Sequence, residues 1–126
     1  GQEVVAGAFA LQTGSVSHIP SSLAYRVVQG GRALVLAGDT GPSAELEAFA
    51  RGAEVLILEA SLPEGESAAG HLTPGQAGSL ARRAAVRRLV LSHLTAASEA
   101  CSPGEVAAAA FGGPVTVARD GGRIRL

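Results

Sequence analysis

Five side chains in this sequence have the types and settings to do hydrolytic chemistry: His18, Asp39, Glu59, His71 and His93. Asp39 follows the apolar run Ala33 to Ala37 and sits in the turn Gly38-Asp39-Thr40-Gly41-Pro42. Glu59 ends the apolar run Val55 to Leu58, and His93 follows Leu89-Val90-Leu91-Ser92. Imidazoles and carboxylates together are the ligand set of a zinc-like ion. Either group can also move a proton. Plainer roles are open to each. Asp39 could cap its turn or the next helix. Glu59 could pair with an arginine, His93 could be satisfied by backbone, and His18 and His71 could be solvated loop residues. The spacings are too long for a local motif, so only the fold can bring these groups together.

The elements that must do so are legible as an alternation. Leu23 to Val28 reads as a strand, and Gln29-Gly30-Gly31 as a hairpin turn into the strand Ala33–Ala37. From Ser43 the period becomes helical, with Leu46, Phe49 and Ala50 on one face and Gly52 as the stop. Val55 to Leu58 is a fully apolar strand. Thr73-Pro74-Gly75-Gln76 reads as a capping box with proline at the first helical position. Ala77, Leu80, Ala81 and Ala84 form the apolar face of that helix. Arg87 to His93 is the next strand. Ser102-Pro103-Gly104-Glu105 repeats the cap pattern before a short helix, and Val115 to Ala118 is a strand. Glu3 to Gln12 reads as one weak strand interrupted by Thr13-Gly14-Ser15. Arg119 to Gly122 is expected to turn the chain into a terminal hairpin with Ile124-Arg125-Leu126. Strand and helix alternate through the middle, which implies an α/β fold with a parallel sheet centre, helices covering it, and antiparallel edges. Asp39, Glu59 and His93 then leave the sheet on its carboxyl edge, where ligands bind in such folds. His71 lies in a loop at that edge, and His18 follows the first strand.

Composition excludes several classes. At 126 residues the chain is one domain or less. With 47% apolar but only 3% aromatic residues, the core must be built from Val, Leu and Ala. A formal charge of −1 gives no global field to draw in nucleic acid. Arg82, Arg83, Arg87 and Arg88 read as solvated cations around a helix C-terminus. No apolar run reaches the roughly 20 residues of a membrane span, and Gly1-Gln2-Glu3-Val4 has no signal-peptide character. Cys101 is alone, so no internal disulfide or cysteine metal cluster forms. A reducing compartment, the cytoplasm, is expected.

Six short motifs in order carry a resemblance: Ser17-His18-Ile19-Pro20, Ala24-Tyr25-Arg26, Ala37-Gly38-Asp39-Thr40-Gly41-Pro42, Leu58-Glu59-Ala60-Ser61, Gly70-His71-Leu72-Thr73 and Leu91-Ser92-His93-Leu94. Together they resemble the C-terminal half of a metallo-β-lactamase-fold hydrolase, and most of all its ribonuclease Z-like phosphodiesterase branch. The resemblance implies half of an αββα sandwich, with helices on one sheet face. It implies two divalent ions, zinc first and manganese as the alternative. His18 would be a ligand of the first ion, Asp39 would bridge both, and His93 would be a ligand of the second. His71 would donate a proton to the leaving oxygen, and Glu59 would hold the tautomer and charge of His71.

The family's His-x-His-x-Asp-His cluster, which supplies the remaining ligands and the base, is absent from residues 1–126. The chain is therefore expected to be the C-terminal half of a domain, inactive by itself. Its open sheet face should be covered by the missing half or by a second copy. In many tRNA-processing members a long arm that clamps tRNA lies between the residues matching His18 and Asp39. Only a strand hairpin fits there in this chain. A small phosphodiester such as a cyclic nucleotide is thus the expected substrate. tRNA 3′ processing, and a non-catalytic module that keeps the fold, are the alternatives. A β-lactam or thioester hydrolase is disfavoured by the His71–Glu59 pair, which suits an alkoxide leaving group.

Overall fold

The structure is a computed structural model that describes residues 2–125. Its frame is a sheet of seven strands: β1 (Glu3–Ala6), β2 (Phe9–Ser15), β3 (Leu23–Gln29), β4 (Arg32–Ala37), β5 (Val55–Glu59), β6 (Arg88–Ser92) and β7 (Val115–Val117). Strand order in the sheet follows chain order. β1 to β4 pair antiparallel, and β4 to β7 pair parallel. The parallel centre and the antiparallel edge are as expected.

The helices are α1 (Ala44–Phe49), α2 (Pro74–Arg83), α3 (Ala96–Glu99) and α4 (Pro103–Phe111). Ser43 caps α1 by accepting the amide of Leu46, and Thr73 and Gln76 form the expected capping box on α2. Helices bury their apolar residues against one sheet face. Leu46, Ala50, Leu80, Ala81 and Phe111 meet Val35, Ala37, Leu56, Leu58, Leu89 and Leu91 in a single core cluster. Alternate residues of the same strands point the other way. On that second face Tyr25 and Leu36 are cross-strand partners and stay 40% and 42% exposed, which is high for central apolar positions.

Four expectations need correction. The weak strand at Glu3 is two strands joined by a turn at Gly7, and the second runs through Thr13-Gly14-Ser15 instead of stopping there. His18 accordingly follows the second strand, not the first. Gly14 belongs inside the strand for a tertiary reason, because the Phe49 ring lies 2.8 Å from where its Cβ would be. Ser102 does not repeat the cap: it is left-handed at φ 50° and makes no side-chain cap bond. After β7 the chain turns, but residues 123–125 form no strand, and Leu126 lies outside the described residues. Instead the Arg88 guanidinium donates to the carbonyl of Arg125, tying the terminal segment back to β6.

Candidate metal and acid–base site

The carboxyl edge of the sheet gathers all five predicted side chains. β4, β5 and β6 run parallel, so Asp39, Glu59 and His93 leave on one side. β2 is antiparallel to β3, which is antiparallel to β4, so β2 delivers His18 to that same side. The turn after β4 is stitched to the loop that carries His18. The Ser17 amide donates to Thr40 Oγ1 at 3.2 Å, and the Gly41 amide donates to the Ser17 carbonyl at 2.7 Å. Asp39 therefore faces two imidazoles, one from each carboxylate oxygen. His18 Nε2 lies 3.9 Å from Oδ2 and His93 Nε2 lies 3.3 Å from Oδ1.

That arrangement suits a divalent cation held between carboxylate and imidazole. Two ligand atoms about 2.0–2.1 Å from a tetrahedral ion sit about 3.3 Å apart. The His93–Asp39 distance of 3.3 Å matches that spacing, whereas the 3.9 Å of His18 exceeds it. His93 also carries φ +51°, a left-handed backbone that a histidine adopts at a cost of about 1–2 kcal/mol.

Beside this lies an acid–base pair. Glu59 is fully buried and its carboxylate accepts four donors. The Thr40 amide and His71 Nδ1 reach Oε1 at 3.2 and 2.7 Å, while the Ser61 amide and hydroxyl reach Oε2 at 2.9 and 2.6 Å. Burial pushes the carboxyl up, but the bonds from Ser61, His71 and Thr40 outweigh it and hold Glu59 below its ordinary value. With Nδ1 bound to Glu59, His71 is left to present Nε2 outward. Ser61 Oγ, 3.2 Å from Nδ1, backs the ring from the side.

A pH dependence follows. The folded carboxyl is depressed, so its stabilisation is complete above the ordinary value of 4.5 and is lost as pH falls below it. The stability gap between metal-free wild type and Glu59→Gln in thermal melts should narrow as pH falls from 4.5 toward about 3. A gap that widens as acid is added would contradict the ionised, fully bonded Glu59.

Residues 5–94 match the family model described as the beta-lactamase superfamily domain. The chain belongs to the beta-lactamase superfamily. The solved metallo-β-lactamase fold protein YhfI of Bacillus subtilis superposes on 95% of this chain with a TM-score of 0.88 at 26% identity, and the match takes in 51% of YhfI. The short form of human tRNase Z superposes on 93% with a TM-score of 0.69 at 25% identity, over 43% of its own length. Ribonuclease Z of Shouchella clausii is 45% identical over 69 residues, which is 52% of this chain and 22% of that protein. The matches thus take in between about a fifth and about a half of these three proteins.

Within this superfamily fold, all five side chains read from the sequence sit on one rim, in two groups. Asp39 lies between His18 and His93, and Glu59 holds His71. The groups touch, since ligand-type atoms of Asp39, Glu59 and His71 lie within 4.8 Å of one another. That trio is a second conceivable metal set, but the Glu59 oxygens already accept four hydrogen bonds, which argues against a further ligand role. Sequence reasoning missed Thr40 and Ser61, both buried and both bound to Glu59. Their one signal was position, Thr40 lying three residues and Ser61 two residues past a strand end. Next to His93 opens a cavity of about 310 Å³ lined also by Glu99, Arg119 and Asp120. Among the described residues no helix is long and apolar enough to cross a membrane.

Proposed function

We propose that this chain is the C-terminal half of a metal-dependent phosphodiesterase of the metallo-β-lactamase fold. The observation that carries the reading is the Glu59–His71 pair set directly beside a carboxylate flanked by two imidazoles. His18, Asp39 and His93 would hold two divalent ions, zinc or manganese, with Asp39 shared between them. Bound there, the ions would activate a water and offset the negative charge of the phosphate. The chain's own residues do the rest. Glu59 accepts from Nδ1 of His71 and so fixes the ring with Nε2 toward the substrate. His71 gives the proton on Nε2 to the departing oxygen. Glu59 also accepts the Thr40 amide, next to Asp39, which ties the acid to the ligand turn.

The remaining ligands and the base would come from the N-terminal half. That half, or a second copy of the chain, would cover the sheet face that bears Tyr25 and Leu36. The hairpin of β3 and β4 fills the connection between His18 and Asp39, which favours a small phosphodiester. The cavity beside His93, with Arg119 on its wall, has room for the part of such a substrate that does not react. A second reading, tRNA 3′ processing, draws support from relatives that carry the name ribonuclease Z.

The test is a paired assay on the complete protein. Bis-p-nitrophenyl phosphate should be hydrolysed, with activity lost to a chelator and restored by zinc or manganese, while nitrocefin should not turn over. Nitrocefin hydrolysis without phosphodiesterase activity would overturn the reading, and no metal and no activity toward either would favour a non-catalytic module.

A further inference from the structure

The loop that carries His71 also presses on His18, and it does so through a residue without a side chain. Gly70 has φ +80°, and a Cβ built on it would come 2.5 Å from His18 Nδ1 and 3.4 Å from both Cε1 and Cγ. No real carbon is tolerated at that distance. The Nδ1 side of the ring is therefore seated against the Gly70 backbone, and the Nε2 side is turned toward Asp39. The next residue adds a second wall, because the rings of His18 and His71 meet edge to face with centroids 5.2 Å apart and planes at 65°. On its other side Gly70 lies close to the Gly41 turn, where a side chain would also crowd it. Its own amide nitrogen and Cα lie 3.2 and 3.4 Å from where a Cβ on Gly41 would be, and Gly41 is bonded to the Ser17 carbonyl.

We infer that Gly70 is a positioning residue for His18: its missing side chain is the space in which the imidazole lies with Nε2 aimed at the Asp39 carboxylate. The inference rests on the reading of His18 as a metal ligand. It adds that the loop bearing the proton donor also sets that ligand, so the two halves of the chemistry are mechanically joined.

A matched control is available in the same loop. Gly65 has φ +89°, also left-handed, but a Cβ there meets nothing within 4 Å. Gly65→Ala and Gly70→Ala therefore carry the same kind of backbone strain, and only the second collides with His18. In the natural full-length protein, Gly65→Ala should keep wild-type zinc content and affinity. Gly70→Ala should bind one of its ions about 10–100-fold more weakly, the usual effect of disturbing a residue that orients a ligand. The side-chain nitrogen resonances of His18 should shift in Gly70→Ala and stay in place in Gly65→Ala. Should Gly70→Ala not fold, the double variant with His18→Ala decides: recovery of folding identifies the collision, and no recovery overturns the proposal. Wild-type zinc binding in Gly70→Ala also overturns it. If His18→Ala itself retains both ions at full affinity, the ligand reading has failed and the proposal falls with it, a result distinct from failure of Gly70→Ala alone.

Discussion

Asp39→Ala should leave the complete protein with neither ion. Its two carboxylate oxygens face His93 Nε2 at 3.3 Å and His18 Nε2 at 3.9 Å, so on the proposed assignment each ion position would lose a ligand. Two cations held close without an anion between them repel, which makes the loss cooperative. The fold should survive, because the turn is held by Thr40, Ser17 and Gly41 and not by the Asp39 side chain. Compared in the metal-free state, the two proteins should differ in stability by less than about 1 kcal/mol. Metal analysis after dialysis, paired with a thermal melt, checks both halves. Two equivalents of zinc in a folded Asp39→Ala protein would remove Asp39 from the site.

The second large effect belongs to His71. His71→Ala should lower turnover by about 10²–10⁴, the usual contribution of a positioned acid, with metal content unchanged. The loss should depend on the leaving group. A p-nitrophenolate departs with little help, so bis-p-nitrophenyl phosphate should be the less affected substrate, and an ester with an alkoxide leaving group the more affected. Glu59 would keep three of its donors, Thr40 amide, Ser61 amide and Ser61 hydroxyl, and so stay folded in place. An equal loss for both leaving groups would remove the acid role. Loss of zinc would reassign His71 as a ligand, in keeping with its closeness to Asp39 and Glu59.

Much of this was readable before any coordinates because the relevant signals are local. Apolar runs of three to five residues give β4 to β6, and the Thr73–Gln76 box gives the start of α2. A parallel centre then puts the strand exits on one edge as a matter of topology. What could not be read depends on partners distant in sequence. Gly14 looked like a break because glycine weakens a strand, yet the Phe49 ring makes it the residue that fits. Ser102 looked like a cap because of its type, yet its backbone is left-handed. Thr40 and Ser61 looked like ordinary turn residues. Only the burial of Glu59 between them turns two small hydroxyl residues into the support of an acid.

Every strand lies beside the one synthesised just before it, although the connections run from two residues between β3 and β4 to 28 between β5 and β6. Loop-closure entropy grows only slowly with length, so each new strand can dock on an edge already made. The rim therefore fills from one side, His18 first and His93 last. A growing polypeptide halted short of Arg88 would own its acid pair and one imidazole of the Asp39 clasp, but not the second. Completion of the grip would thus coincide with the docking of β6, near the end of synthesis of these residues.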